Sequence, residues 1–182
     1  MRTRTVVALC AAAFVAACQT TPDAPLRATA QLKPLKGGKA PFGEVSFEQE
    51  GDKVRMQVIV QGLKPGGEYG FHIHEVGDCS SPDGMSAKGH FNPTGNPHGY
   101  FGDAQRHAGD LPSILVPKGE KKRPNKAGRA KINVTLDMIS LRPGSGNIIG
   151  RSIIVHAQPD DYTTQPTGNA GARIACGVIR AQ

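Results

Sequence analysis

Four stretches in the first half of the chain, residues 27–35, 42–49, 54–62 and 69–75, alternate polar and apolar side chains with a period of two. That period puts successive side chains on opposite faces and marks half-buried strands. Gly37-Gly38, Gly51-Asp52 and Pro65-Gly66-Gly67 separate the stretches at hairpin spacing. With 23 glycines and 14 prolines among 182 residues, long helices are interrupted too often to form. Strand patterning returns at 129–136, 149–157 and 172–180, with a long connection over 158–171. The expectation is an all-β, antiparallel sandwich or barrel of one domain, large enough for a real core. Residues 76–127 carry no periodicity and read as long loops.

The N-terminus stands apart from that fold. Arg2 and Arg4 precede an apolar run over 6–17, and Val15-Ala16-Ala17-Cys18 follows as a small-residue cleavage site. The run is short for a membrane span, and its layout is that of a secretory signal over 1–17. The ending also looks like a bacterial lipobox, which makes Cys18 the lipid-bearing first residue and 18–26 a tether to the folded domain at 27–182. Gln19, where an aspartate would favour inner-membrane retention, points to the outer membrane facing the periplasm. Cys10 leaves with the signal, so Cys79 and Cys176 remain, and two cysteines in an exported domain read as one disulfide.

All six histidines fall where a metal would want them. His72 and His74 form a His-x-His pair inside Gly70-Phe71-His72-Ile73-His74-Glu75-Val76-Gly77, so on a strand both project to one face. His90, His98, His107 and Asp110 follow in Gly-, Pro- and Asn-rich sequence, and His156 ends the apolar run Ile153-Ile154-Val155. Neutral imidazole suits zinc, copper, iron and nickel, and a carboxylate among histidines suits zinc. Six histidines and one aspartate are one group short of two four-coordinate sites. An imidazole binding one metal through each nitrogen supplies the missing position.

Other motifs carry less. Gly144-Ser145-Gly146-Asn147-Ile148-Ile149-Gly150 resembles a dinucleotide fingerprint, but its third glycine is one residue late and a strand follows, so it reads as a turn. The basic run Lys118 to Lys126 lacks interleaved aromatics and reads as a solvated hairpin tip, so no nucleic-acid partner is expected despite the net charge of +7. Asn133-Val134-Thr135 matches a glycosylation acceptor that a bacterial-type lipobox makes irrelevant.

Four segments together resemble the copper/zinc superoxide dismutase family. They are Gly70 to Asp78, Gly89-His90-Phe91-Asn92-Pro93, His107-Ala108-Gly109-Asp110-Leu111, and Gly168 to Ile179, all in family order across roughly 27–182. The resemblance implies an antiparallel Greek-key β-sandwich/barrel with long metal-binding and active-site loops. It implies copper held by His72, His74, His90 and His156, and zinc held by His90, His98, His107 and Asp110, with His90 as the bridge. Asp160 matches the aspartate that ties a copper ligand to a zinc ligand, and Arg173 matches the arginine that positions the anion. The implied activity is disproportionation of superoxide, with His90 delivering a proton to the departing peroxide.

The late loop departs from the family pattern, since 162–167 carries no charge and so offers no lysine to guide superoxide. The basic segment 118–126 looks like an insertion. The rival reading is a non-catalytic envelope lipoprotein that binds or hands over copper or zinc, and a homodimer is left open. The expected partners are superoxide and, through the N-terminal lipid, a membrane.

Overall fold

The computed structural model describes residues 24–118 and 128–182. The signal at 1–17, Cys18, most of the tether, and Lys121, Lys122 and Arg123 of the basic run lie outside the described residues. Three long strands open the fold as a meander: β1 (Arg27–Pro34), β2 (Phe42–Glu50) and β3 (Lys53–Leu63). Then come β4 (Glu68–Tyr69), β5 (Phe71–His74) and a single 3₁₀ turn over Met85–Ala87. The second half adds β6 (Ile114–Leu115), β7 (Gly128–Leu136), β8 (Ser152–His156), β9 (Arg173–Val178) and β10 (Arg180–Ala181).

The main sheet runs β5-β8-β9-β1-β2-β3-β7, with β10 also pairing β1, and its strands pair antiparallel throughout. The meander β1–β2–β3 followed by a much later strand, β9, returning beside β1 is a Greek-key arrangement. The sheet curls round one core, because Phe71 and Ile73 from the β5 edge pack in the same cluster as Val54, Met56 and Val58 from β3.

Alternation at that edge decides where chemistry can occur. On β5, Phe71 and Ile73 enter the core, so period two sends His72 and His74 to the opposite face. On β8, Ile153 and Val155 enter the core, while Ile154 packs with Ala87 and Cys176 in a separate cluster on the far side. Both faces of β5 and β8 are buried, one by the core and the other by loops folded over it.

The strand reading holds in outline and shifts at its ends. The stretch 69–75 is broken at Gly70, whose N–H donates to the Gln158 carbonyl and whose own carbonyl accepts from the His156 N–H. Residues before the break form β4 and pair with β6 in a separate two-stranded sheet. The stretch 149–157 begins as a turn, with Gly150 at φ 81°, and becomes strand only at Ser152.

Candidate metal centre

The loops reach β5 through its free backbone edge. Ile73 donates to the Gly109 carbonyl, Phe91 donates to the Ile73 carbonyl, and Gly109 donates to the Phe91 carbonyl, at 2.8–3.0 Å. A Cβ on Gly109 would lie 2.2 Å from the Ile73 oxygen, so only glycine allows this approach. The resulting bridges set Asp110 beside His72 and His90 beside His74. Phe91, Ala108 and Leu111 plug into the core, which leaves His90, His107 and Asp110 facing the covered side. None of the six histidines, Asp110 or Asp160 is more than 7% exposed.

Two four-residue groups result, His72–His74–His90–His156 and His90–His98–His107–Asp110, each with ligand atoms within 4.8 Å of one another. They share His90. In the first group the outward nitrogens are committed to acceptors. His72 Nε2 donates to Asp160 Oδ2 at 2.6 Å, His74 Nδ1 to the Lys88 carbonyl at 2.9 Å, and His156 Nδ1 to the Gly171 carbonyl at 3.3 Å. That fixes the tautomers and leaves lone pairs on His72 Nδ1, His74 Nε2 and His156 Nε2. His74 Nε2 and His156 Nε2 face each other at 3.4 Å. His72 Nδ1 and His90 Nε2 are buried without any hydrogen-bond partner. Converging buried lone pairs with no donor among them fit a metal cation, and imidazole nitrogens suit copper.

The second group centres on Asp110 Oδ1, which lies 2.9 Å from His90 Nδ1, 3.0 Å from His98 Nδ1 and 3.3 Å from His107 Nδ1. Backbone N–H groups of Gly99 and His107 donate to Asp110 Oδ2 at 3.1 and 3.0 Å and hold the carboxylate in place. Three imidazoles and a carboxylate with no opening to solvent fit a closed zinc site.

Asp160 ties the groups together. Its Oδ2 takes His72 Nε2, and its Oδ1 takes His98 Nε2 at 2.9 Å. Partners of this kind fix ring orientation and raise ligand basicity. Gly168, at φ 67°, makes room for the carboxylate: a Cβ there would lie 1.9 Å from Asp160 Oδ1 and 2.4 Å from His98 Nε2.

Protonation follows from these contacts. Burial, aided by the charge of His72, drives both His90 and His156 down to about 3. Burial likewise holds His74 well below the ordinary range. These rings therefore keep the neutral form a metal requires. Burial opposes charge on His98 as well, but hydrogen bonds to Asp110 and Asp160 outweigh it and raise the ring to about 9. Burial pushes Asp110 and Asp160 upward, yet the histidines around them hold both carboxyls well below the ordinary range.

Arg173 stands on β9 directly opposite His156. The register shifts between Val155 and His156, leaving Ile174 as the extra residue on β9. Its Nη1 donates to the Gly84 carbonyl at 2.6 Å and its Nη2 to the Lys88 carbonyl at 2.5 Å. The Lys88 carbonyl therefore serves the arginine and His74 together. Cys79 and Cys176 form a disulfide beneath this segment, packed with Leu35, Ala87 and Ile154.

The expected metal ligands, Asp160, Arg173, Cys79 and Cys176 thus lie in one connected cluster, while Cys18 falls outside the described residues. Several contributors escaped sequence reasoning, the Gly84 and Gly171 carbonyls among them. The Lys88 carbonyl is a backbone group, which no side-chain motif can signal. Gln165 clamps His98, accepting from its N–H at 2.9 Å and donating to its carbonyl at 2.8 Å, and nothing around it in the sequence marked it. Gly168 lay inside a recognised motif, but the need for a missing Cβ became visible only beside Asp160.

Residues 42–179 match the family described as copper/zinc superoxide dismutase. Superoxide dismutase (Cu-Zn) 2 of Aquifex aeolicus strain VF5 is 38% identical over 159 residues, covering 85% of this chain and 87% of the relative. The corresponding enzyme of Paramecium bursaria Chlorella virus 1 is 46% identical over 144 residues, covering 75% of this chain and 71% of the relative. A solved SOD-like protein from Bacillus subtilis superposes with a TM-score of 0.70 at 36% identity, covering 82% of this chain and 95% of that one. A chain that matches these relatives over most of its length and gathers two histidine groups about one shared ring belongs to the copper/zinc superoxide dismutase family.

Proposed function

We propose that this chain is a copper/zinc superoxide dismutase, converting two superoxide ions and two protons into oxygen and hydrogen peroxide. His72, His74, His90 and His156 would hold the copper, and His90, His98, His107 and Asp110 would hold the zinc. The observation that carries this reading is His90, whose Nδ1 faces Asp110 while its Nε2 is buried and partnerless among the copper ligands. Bound copper supplies reversible one-electron exchange with superoxide, and zinc supplies charge and geometry without changing oxidation state.

The protein's own groups do the rest. Asp160 orients His72 and His98 from behind, and the Lys88 and Gly171 carbonyls orient His74 and His156. His90 Nε2 is the atom placed to hold a proton and pass it to departing peroxide. Arg173, braced by two carbonyls, presents a permanent positive charge beside the copper group, suited to placing a small anion. Arg173→Ala should therefore lower superoxide decay rates by roughly tenfold or more, as expected for losing a charged anion contact, with both metals retained. An unchanged rate in that variant would remove the arginine from the mechanism. A fully metal-loaded wild-type chain without dismutase activity would instead favour a copper- or zinc-binding role.

We also place the protein in the bacterial envelope, exported by the signal at 1–17 and held by lipid on Cys18, with 18–26 as the tether and 27–182 as the catalytic domain. The support is the lipobox-like Val15-Ala16-Ala17-Cys18 together with a disulfide, which persists in oxidising compartments. Cys18→Ser should move the protein from the membrane fraction to the soluble or unprocessed one. Wild-type mature chain without lipid mass on Cys18 would refute the anchor.

A further inference from the structure

Tyr162 sits in backbone space that a bulky side chain seldom enters. Its φ of 58° is left-handed, and it is the one aromatic residue with positive φ among the described residues. It also turns inward where its neighbours turn out: Asp161 and residues 163–166 are exposed, while Tyr162 is partly buried. Strained residues persist where their surroundings over-determine them, and they gather at functional sites.

The contacts of Tyr162 join three segments of the metal centre. Its N–H donates to Asp160 Oδ1 at 2.8 Å, the same oxygen that takes His98 Nε2. Its phenol oxygen shares a 2.7 Å hydrogen bond with the hydroxyl of Ser113, a buried residue three positions after Asp110. The Tyr100 ring, two positions after His98, stands edge-on to the Tyr162 ring with centroids 5.0 Å apart. One side chain thereby fastens the late loop to the segments that carry His98 and Asp110. Glycine would supply the same N–H to Asp160 and adopt this φ without strain, so neither accounts for a phenol here.

Resting on the metal assignment made above, we propose that Tyr162 is a positioning residue of the zinc group, acting through Asp160. Its phenol, held by Ser113 and Tyr100, fixes the late loop so that Asp160 Oδ1 stays directed at His98 Nε2. Without that hold the carboxylate moves with its loop, and the His98 ring loses its fixed orientation. Groups that orient a ligand from behind contribute roughly 10- to 100-fold in metal affinity, and Tyr162, one contact further out, accounts for about tenfold.

Zinc affinity of the copper-loaded mature chain, measured by competition with a chelator, tests this in Tyr162→Phe, Ser113→Ala, Tyr162→Gly and Asp160→Asn. Tyr162→Phe should keep the ring against Tyr100, lose the phenol hydrogen bond and bind zinc about tenfold more weakly. Ser113→Ala should lose as much, and the double variant no more than either alone, since both remove one bond. Tyr162→Gly, which relieves the backbone, should be weakened at least as far. In Asp160→Asn, which itself weakens zinc, adding Tyr162→Phe should change nothing further. A tyrosine that only supports the fold would lower the melting temperature and leave zinc affinity at the wild-type value. That result would overturn the proposal, as would an equal loss from Tyr162→Phe with and without Asp160→Asn. An inactive wild-type chain with a full zinc site would sink the dismutase reading, and these affinities would still decide the role of Tyr162. A wild-type chain that bound no zinc would overturn both.

Discussion

Replacing His90 by alanine should empty both metal groups at once and reduce dismutase activity to background. His90 is the only residue common to the two groups, and its ring presents one nitrogen to each. Its removal leaves the zinc group with two imidazoles and Asp110, and the copper group with three imidazoles. Zinc in a closed site wants four ligands, so its affinity falls steeply. The loss should exceed the 10- to 100-fold typical of removing a residue that merely supports a ligand. His107→Ala is the informative contrast, because His107 belongs to the zinc group alone. That variant should lose zinc while binding copper through an intact set. Full copper and zinc in the His90 variant would contradict the shared assignment, whatever its activity.

The second large effect is expected from the disulfide. Cys79 and Cys176 are 97 residues apart, and closing so long a loop restricts the unfolded chain. Cys79→Ser or Cys176→Ser should lower stability by about 2–5 kcal/mol. For a domain of this size that is about 4–20 °C in melting temperature. The damage should also be functional, because the bridge underlies the segment that presents Ala87, Lys88 and the carbonyls holding Arg173. Copper should consequently leave the serine variants more readily than wild type in competition with a chelator. Equal melting of oxidised and reduced metal-loaded protein would show that the bridge contributes little.

Much of this was legible before any coordinates, for a physical reason. A period of two is a local property, so β1, β2, β3 and β7 could be read with ends shifted by a residue or so. The same period showed that His72 and His74 share a face. Long-range backbone pairing has no local signature. Gly70 looked like an ordinary member of an alternating run, yet bonds to Gln158 and His156 far along the chain end the strand there. The two-residue strand β6 is too short to leave a pattern. In the site, the ligand residues were visible because histidine and aspartate are chemically distinctive. Which nitrogen of each ring faces the metal was not visible, because Asp160, Lys88 and Gly171 set it from distant positions. The left-handed backbone at Lys88 was equally hidden, since a residue with a Cβ gives no local sign of it.

Metal content measured alongside superoxide decay on one purified preparation of the mature chain tests the central claim most directly. The shared-histidine assignment predicts one copper and one zinc per chain. Activity should vanish when copper alone is withdrawn and return when copper is restored with zinc still in place. A chain that took up both metals in that ratio and left superoxide decay at its uncatalysed rate would contradict the account.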